Sequence, residues 1–501
     1  MGLRTFEEYL ESLRDGRRVM FRGQWVEDVT RHPVIGRAVR HAQLDFDLAE
    51  DPAWRDRAVA DPARPAPAGA SPAQGEEPYN RFYHVPRNAA DLLLRMELIE
   101  EITRRGGTVV TLIHEIGTDA LFGLMRVTGR VDAARGTGYR QRVERFYEQV
   151  RREDAALAVA QTDVKGNRRA RPSAQADPDL FVHVVRREAD GIVVRGAKVH
   201  TSVSVNANYL IVIPTQRMEE ADRDYAVAFA VPVAAPGVRL VASPYLSSPR
   251  NTLENPLSGR FKMMESFTWF DDVFVPWENV FLCGEHEFAG EVARAFVDYH
   301  RFTAVAYKLP LVDLLAGVGA QMAEYNGVSG AGHVREKLIR LAAYAGTVRK
   351  MLLASALLGQ AREEGIFVPD ELTINLAKLY FAENFHAALR DVQDLSGGLL
   401  VTAPGAEDLA DPEMGPVLRR FYQGATGTGE ERLRMAYLAS DLTAGDMAGY
   451  HGVLAVHAEG SIEAEKIAIL RGYDFARAQR MAREAAGVEP AGAAAGAAGE
   501  G

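Results

Sequence analysis

Two titratable residues, Glu115 and His300, could do acid–base chemistry. Burial or a charged neighbour can move the pKa of a carboxyl or imidazole group toward neutrality, where the group serves as a general base. Both residues could act in this way if the fold brings them together. Arg301 and Tyr307 follow on the same segment as His300 and complete a set of four candidate catalytic residues. The alternative for His300, which stands near the start of a helical segment after Tyr299, is a core or capping role.

A second candidate site is the polar segment from Gln161 to Arg168. It offers closely spaced backbone amides, a glycine that permits close approach, and side chains that donate hydrogen bonds. Such a segment can cradle the isoalloxazine ring of a flavin, and a positive group such as Lys165 or Arg168 stabilises the reduced, anionic ring. The alternative is a surface turn with solvated side chains. The candidate flavin-binding residues of the segment are Gln161, Thr162, Asp163, Lys165, Gly166, Asn167 and Arg168.

Composition limits the classes of protein to which the chain can belong. With 501 residues it has room for two or three domains, and its apolar content of 47% is that of a globular protein. A net charge of −10 argues against nucleic acid as a partner. The single cysteine, Cys283, can form no intramolecular disulfide and cannot hold a thiolate metal site or cluster alone, so we expect no metal. We find no secretory signal and no apolar run long enough to cross a membrane, which predicts a cytoplasmic protein.

The spacing of apolar residues divides the chain into three parts. Residues 1–154 show helical spacing, as in Ala90, Leu94 and Leu98, interrupted by a Pro- and Ala-rich segment at 61–78 that we predict to be a mobile loop. Residues 155–284 alternate short β-rich runs with turns, as in Phe267 to Val275, and predict a β domain. Residues 285–485 predict a helical bundle, and residues 486–501 a disordered tail. The predicted fold class is therefore α+β.

Several strings resemble one family. WFDDVFVPWENVF (Trp269 to Phe281) is similar to the strand and turn that lead into the helical bundle of acyl-CoA dehydrogenases. RGAKVHTSVSVNANYLIV (Arg195 to Val212) resembles their flavin strand. From Phe6 to about Arg471 the chain resembles the branch that holds 4-hydroxyphenylacetate 3-hydroxylase and 4-hydroxybutyryl-CoA dehydratase, most closely the dehydratase. The resemblance implies an acyl-CoA dehydrogenase-like fold with a helical domain, a middle β-barrel or sandwich and a four-helix bundle, and it implies FAD as the cofactor.

The resemblance also implies further cofactor residues. The hydroxyl residue of the flavin strand falls on Ser202, which could donate a hydrogen bond to flavin N5. Family members bring small residues to the dinucleotide at two further places, where helix-capping glycines are the alternative. The residues at these places are Gly397, Gly398, Glu459, Gly460 and Ser461.

Departures from the family pattern concern the chemistry. Three cysteines and a histidine hold the [4Fe-4S] cluster of the dehydratase, and the cysteine positions fall here on Thr111, Glu115 and Tyr307, while the histidine is kept as His300. We therefore expect no iron-sulfur cluster. The hydroxylase positions its substrate with an Arg, a Tyr and a His. The matching positions of this sequence lie near residues of other types, so 4-hydroxyphenylacetate is not the expected ligand. These residues are Ile116, Ala120 and Gln161.

These observations predict an FADH2-dependent two-component monooxygenase of an aromatic phenol or amine. The chain shows no nicotinamide-binding motif, so a separate reductase would supply reduced FAD as co-substrate, and O2 would be the oxidant. An alternative is a cluster-free FAD enzyme acting on an acyl-CoA, and a third possibility is a non-catalytic relic of the family. The resemblance further implies a homotetramer or homodimer, and the aromatic substrate could be free or tethered to a carrier or CoA.

Overall fold

The N-terminal part of the chain is mainly helical. The computed structural model describes residues 3–247 and 250–488. Polar caps begin several of the helices: α5 starts with a capping box in which Asn88 and Asp91 each accept a backbone N–H of the other. The helices are α1 (Phe6–Ser12), α2 (Ile35–His41), α3 (Gln43–Glu50), α4 (Arg55–Ala58), α5 (Ala89–Arg105), α6 (Glu115–Arg135) and α7 (Tyr139–Glu153). The short strands among them are β1 (Val19–Phe21), β2 (Gln24–Val26), β3 (Val59–Ala60) and β4 (Tyr79–Asn80).

The segment 61–78, which the structure describes throughout, contains neither helix nor strand. Its second half is anchored to the start of α5, because the Ser71 hydroxyl and backbone amide each donate to the Asp91 carboxylate at 2.8 Å. The side chain of Gln74 also donates to the Val85 carbonyl at 3.1 Å. These contacts tether one side of the loop, and its predicted mobility stays a prediction.

Strands dominate the middle of the chain. One sheet has the order β2-β1-β10-β11-β7-β6, and a second sheet has the order β12-β9-β8-β5. The first sheet therefore includes two strands, β1 and β2, from the N-terminal part of the chain. The strands are β5 (Leu157–Ala160), β6 (His183–Arg187), β7 (Gly191–Ser202), β8 (Tyr209–Val212), β9 (Val227–Pro232), β10 (Val238–Ala242), β11 (Glu265–Pro276) and β12 (Val280–Cys283).

The pairing of β11 with β7 is important for the site. The two strands are antiparallel, and their register places Glu265 opposite Ser202. Along β11 buried residues such as Phe270 alternate with exposed ones such as Trp269, the pattern of a strand with one face against the core. The first residue of β11 and the last residue of β7 therefore lie at the same edge of the sandwich.

The C-terminal part is built from long helices. The helices α8, α9, α10 and α14 pack against one another, and α16 packs against α10. Among the described residues only α8 is long and apolar enough to cross a membrane, and 78% of its most apolar stretch is buried inside the protein, as in a core helix. The helices are α8 (His286–Tyr325), α9 (Gly332–Leu357), α10 (Glu371–Ser396), α11 (Leu399–Thr402), α12 (Ala406–Ala410), α13 (Met414–Phe421), α14 (Gly429–Thr443), α15 (Asp446–His457), α16 (Ile462–Gly472) and α17 (Phe475–Ala485), and the strands are β13 (Gln360–Ala361) and β14 (Phe367–Val368).

The last residues with described structure follow α17, which ends at Ala485. Of the tail predicted over 486–501, residues 489–501 lie outside the described part of the chain.

Candidate active site

A small cavity lies where the loop after α5, helix α8 and helix α15 meet. Its volume is about 20 Å³, which holds about one water molecule, so a ring-sized ligand requires lining side chains to move. The lining combines aromatic and apolar side chains with a few polar groups, as ligand sites generally do. The lining residues are Thr108, Val109, Val110, Met263, Tyr307, Lys308, Leu311, Phe381, Tyr450, His451 and Leu454.

Tyr307 is the one predicted catalytic residue that lines this cavity. The ammonium group of Lys308 lies 4.5 Å from the centre of its ring, within cation–π distance. On the other side, the His451 imidazole lies 3.1 Å from the Thr108 hydroxyl. Burial and the charge of Lys308 lower the pKa of His451 to about 3, so this imidazole is neutral. The polar groups of the cavity lining are thus the phenols of Tyr307 and Tyr450, a neutral imidazole, the Thr108 hydroxyl and the Lys308 amine.

Lys308 forms a buried pair with Glu459. Its Nζ lies 2.6 Å from Glu459 Oε2, and both side chains are almost fully buried. Burial lowers the pKa of Lys308 well below its usual value and raises that of Glu459 well above its own. Burial therefore disfavours the charged form of each group, and the 2.6 Å contact pairs the two.

A second carboxyl, that of the half-buried Glu265, lies beside the cavity. The Ser202 hydroxyl is 2.9 and 3.0 Å from the two Glu265 carboxylate oxygens. Burial raises the pKa of Glu265 to about 7, and the hydrogen bond from Ser202 opposes this rise only in part. After burial, Glu265 is the largest influence on the pKa of the cavity residue Tyr450, whose hydroxyl has no hydrogen-bond partner among the described residues. Glu265 is therefore a proton acceptor at neutral pH placed next to the cavity.

The predicted flavin segment lies against β7, where Asp163 bridges to Lys198, and the region between this segment, the end of β7 and the end of α15 is called the groove below. Burial lowers the pKa of His200 on β7, and the charges of Lys165 and His457 lower it further, so both charges lie within electrostatic range of His200. Glu459 and Gly460 lie two and three residues after His457 along the chain. The structure therefore brings the segment 161–168, the end of β7 and the start of the α15–α16 turn to one place.

Within the segment 161–168, the first half is hydrogen-bonded to β7, and the second half is exposed to solvent. The Gln161 carbonyl and the Asp163 carboxylate accept from Lys198 Nζ at 2.7 and 2.6 Å, and the Thr162 carbonyl accepts from a β7 amide. Gln175 holds the turn, because its carbonyl oxygen accepts from the Asn167 amide at 2.9 Å. The exposed residues are Lys165, Gly166, Asn167 and Arg168.

Comparison with known proteins decides the family. Residues 5–282 match the family model "4-hydroxyphenylacetate 3-hydroxylase N terminal", and residues 289–487 match "4-hydroxyphenylacetate 3-hydroxylase C terminal". The chain belongs to the 4-hydroxyphenylacetate 3-hydroxylase family. The resemblance seen in the sequence is confirmed.

The relatives include both branches of this family. The chain is 30% identical to 4-hydroxybutyryl-CoA dehydratase/vinylacetyl-CoA-Delta-isomerase of Clostridium aminobutyricum, over 97% of this chain and 100% of that one. It is 28% identical to the oxygenase component of 4-hydroxyphenylacetate 3-monooxygenase of Thermus thermophilus, over 88% of both chains. A solved structure of such an oxygenase component complexed with FAD superposes with a TM-score of 0.86 at 26% identity, over 96% of this chain and 98% of that one. The predicted acyl-CoA dehydrogenase-like fold is confirmed.

Glu115 is not among the residues that line the cavity. It is fully buried at the start of α6, where its carboxyl lies 3.4 Å from the Thr111 hydroxyl and 3.2 Å from the His114 amide. Burial and the nearby Asp45 raise the pKa of Glu115 to about 8. Among the residues that the structure describes, no group of three or more His, Cys, Asp and Glu could hold a metal ion. The prediction of Glu115 as a substrate base gains no support from this placement.

His300 and Arg301 are also bound to other parts of the protein. The His300 imidazole stacks on Phe296 and lies 3.3 Å from the Asp119 carboxylate, which Arg95 also contacts at 2.8 Å. Arg95 in turn donates to the backbone carbonyl of Glu115. The two predicted bases, His300 and Glu115, are therefore linked indirectly through Asp119 and Arg95. Within the described part of the chain, no hydrogen bond joins the side chains of Glu115 and His300 directly.

Arg301 supports the turn that carries Glu459. Its guanidinium donates to the Glu459 carbonyl at 3.3 Å and to the Asn375 side chain. A Cβ at Gly460 would meet this guanidinium at 2.9 Å, so glycine is needed for the close approach. Ser461 caps α16 by accepting from the Ala464 amide, which is the alternative role of a capping residue.

Gly397 and Gly398 lie away from the groove. They follow α10 at its C-terminal end, whereas Asn375, next to Arg301, lies near its N-terminal end. The 22 residues from Asn375 to Gly397 span about 33 Å of helix, at about 1.5 Å per residue. Within one chain these glycines therefore lie far from Glu459 and Gly460, and their predicted role at the dinucleotide stays a prediction.

Sequence reasoning missed Glu265, Lys308 and the buried network around His114. Lys308 had a signal, because it is the one charged residue in the apolar run from Ala304 to Val312. A lone charge in such a run is either paired or functional. Glu265 had no comparable signal, because its pairing with Ser202 joins residues 63 positions apart.

The network around His114 predicts a loss of stability at alkaline pH. Burial alone would lower the pKa of His114, but Asp154 and Asp45, at 3.3 and 2.9 Å, outweigh it and raise the pKa to about 10. The stabilisation from the charged imidazole is then complete below the unfolded-state pKa of about 6.5 and is lost as the pH rises toward about 10. We expect the urea midpoint of the wild type to fall between pH 7 and 9 by more than that of His114→Gln. Parallel midpoint curves for the two proteins would refute this role.

Proposed function

We propose that the protein is an FADH2-dependent monooxygenase that hydroxylates a small phenolic or amino-aromatic substrate with O2, using reduced flavin from a separate reductase. The observation that carries the proposal is the convergence of the segment 161–168, Ser202 and the Glu459 turn beside a cavity lined by Tyr307. Membership of a family whose relatives include oxygenase components supports the same assignment. We further propose a homotetrameric or homodimeric, cytoplasmic enzyme.

The residues at the groove fit a flavin. Lys165, Asn167 and Arg168 present exposed donors toward solvent, and His200 and His457 flank them. Tyr450 carries a buried hydroxyl without a hydrogen-bond partner among the described residues, as a ligand-facing group does. When bound, reduced FAD supplies the two electrons that activate O2. The side chains named in this paragraph, together with Ser202, would hold the FAD.

Ser202 and Glu265 together control a proton at the edge of the groove. While Glu265 is ionised, the Ser202 hydroxyl donates to it. Once Glu265 has taken a proton, its own O–H donates to Ser202, and the serine hydrogen becomes free for another acceptor. With a pKa of about 7 the carboxyl can take the proton of a phenol, whose ordinary pKa is about 10, and so make the ring more electron-rich. In the overall reaction one oxygen atom enters the ring and the other leaves as water.

The proposal is tested with purified protein, chemically reduced FAD, O2 and a set of small phenols and anilines, free and thioester-linked. We expect one hydroxylated product per reduced flavin consumed for at least one substrate. A matched reaction with oxidised FAD and no reductant is the control for any product that forms without reduced flavin. Release of hydrogen peroxide in place of product with every aromatic tested would count against the proposal.

A second candidate function is supported by the end-to-end similarity to the dehydratase, which covers 97% of this chain. In that case the protein is a cluster-free FAD enzyme on an acyl-CoA, and Glu265 would remove a proton next to the thioester carbonyl. Incubation of the FAD-loaded protein with acyl-CoAs in D2O, under exclusion of O2, tests this function. Deuterium in the acyl chain would support it, and unchanged mass in all thioesters would exclude it.

A further inference from the structure

The C-terminal helix α17 extends away from its own chain. Of its eleven residues, ten are exposed and only Ala478 is half-buried. The exposed fractions of its two largest apolar side chains are 48% for Phe475 and 62% for Met481. A helix of this length is marginal in water without packing. It belongs to the family pattern, since the family model extends to residue 487.

Five of the six apolar residues of α17 lie on one side of the helix. At 100° per residue the two large apolar side chains and three of the four alanines cover about one third of the circumference. Its arginines lie outside this stripe, and Arg480 lies opposite its centre. The members of the stripe are Phe475, Ala478, Met481, Ala482 and Ala485. Such a stripe, rich in small residues, suits close packing against another helix better than insertion into a lipid surface, for which bulky apolar residues are typical.

A matching surface exists on α13. Met414, Val417 and Phe421 stand at positions i, i+3 and i+7, all exposed, with 73% of Phe421 accessible. Arg419 pairs with Glu430, and Arg420 lies near the C-terminal end. Acidic residues surround the N-terminal end of this stripe, namely Glu407, Asp408, Asp411 and Glu413. The charges are complementary: residues 471–488 carry four arginines against two acidic residues, in a chain of net charge −10.

The two surfaces cannot meet within one chain. Gly472, just before α17, lies against Leu372 at the N-terminal end of α10. α11 to α13 follow the other end of α10, beyond Gly397, about 37 Å away at about 1.5 Å per residue. α17 itself spans about 16 Å by the same rise per residue. The complementary surface must therefore come from another molecule.

We propose that α17 of one copy of this chain packs its apolar stripe on the α13 stripe of a second copy. The exchange covers both exposed faces and places the arginine-rich segment 471–488 near the acidic end of α13. This inference does not depend on the proposed chemistry, because it concerns surfaces outside the groove.

Paired alanine substitutions test the apolar face of α17. Ala478→Glu places a charge in the stripe, while Ala476→Glu makes the same change on the opposite side of the same helix. We expect sedimentation of the full-length protein to show a dissociation constant at least about tenfold higher for Ala478→Glu and within about twofold of wild type for Ala476→Glu, since a charge in a packed interface costs far more than one in solvent. Equal constants for the two variants, or a wild type that sediments as a single chain, would overturn the proposal.

Hydrogen exchange tests the partner surface separately. In wild type we expect slow exchange of the α17 backbone amides, because packing stabilises an otherwise marginal helix. Val417→Glu on α13 is expected to speed exchange in α17 at least about tenfold while leaving α10 unchanged. Fast exchange of α17 in wild type, or α17 protection that Val417→Glu does not alter, would show that α17 does not pack on α13.

Discussion

The Glu265→Gln variant is expected to lose about 10²- to 10⁴-fold in kcat/KM, the range that a positioned general base contributes. Glutamine has nearly the shape of glutamate and can still accept the Ser202 hydrogen bond, but it cannot take a proton. The wild-type rate should rise with pH through about 7, as the carboxyl ionises, and this limb should be absent from the variant. Steady-state rates between pH 5.5 and 8.5 measure both effects.

The same substitution should not destabilise the protein. Because the folded-state pKa of Glu265, about 7, lies above its usual value of 4.5, the folded state loses stability relative to the unfolded chain as the pH rises between these values. Glutamine has no charge to bury, so at pH 8 the variant should unfold at the same or a higher temperature. Glu278→Gln, on the exposed surface, is the matched control and should retain full activity. Wild-type activity in Glu265→Gln would remove this residue from the mechanism under either candidate function.

Replacing Lys308 with methionine is expected to lower the free energy of unfolding by about 3–5 kcal/mol, as when one partner of a buried pair is removed. Glu459 would then stay buried without its partner at 2.6 Å. The double variant Lys308→Met/Glu459→Gln should recover most of this loss, because it leaves no unpaired carboxyl group. Urea unfolding of the single and double variants measures the coupling between the two residues.

Lys466→Met provides the matched control for this prediction. Lys466 lies 3.1 Å from Glu463 in an exposed pair, and such pairs contribute about 0–1 kcal/mol. A loss for Lys308→Met no larger than for Lys466→Met would show that the buried pair does not stabilise the fold. Failure of the double variant to recover stability would show that the lysine acts through packing and not through Glu459.

Local pattern was sufficient to predict much of the fold. The alternation along Phe267 to Val275 correctly indicated a half-buried strand, which is part of β11. The contribution of β1 and β2 to the first sheet was not predictable, because it joins Val19 to Leu240 across more than two hundred residues. Pairing over such separations leaves no trace in the local spacing of apolar residues.

The site was harder to predict for the same reason. Tyr307, which the resemblance singled out, lines the cavity, and its catalytic role stays a prediction. Glu115 was expected there as well, but its side chain turns toward Thr111 and the His114 amide, and helical spacing alone does not say which neighbour a buried face meets. The pKa of Glu265 is raised by burial, which exists only in the folded chain, and the hydrogen bond from Ser202 on β7 opposes this rise.

The central claim is that the protein transfers an oxygen atom from O2 to an aromatic ring, and isotope labelling tests it most directly. Single-turnover reactions with reduced FAD, the best aromatic substrate and 18O2 should give a product that is heavier by one 18O atom in the new hydroxyl group. Unlabelled product, or no aromatic product together with exchange of acyl-CoA protons in the absence of O2, would contradict the account.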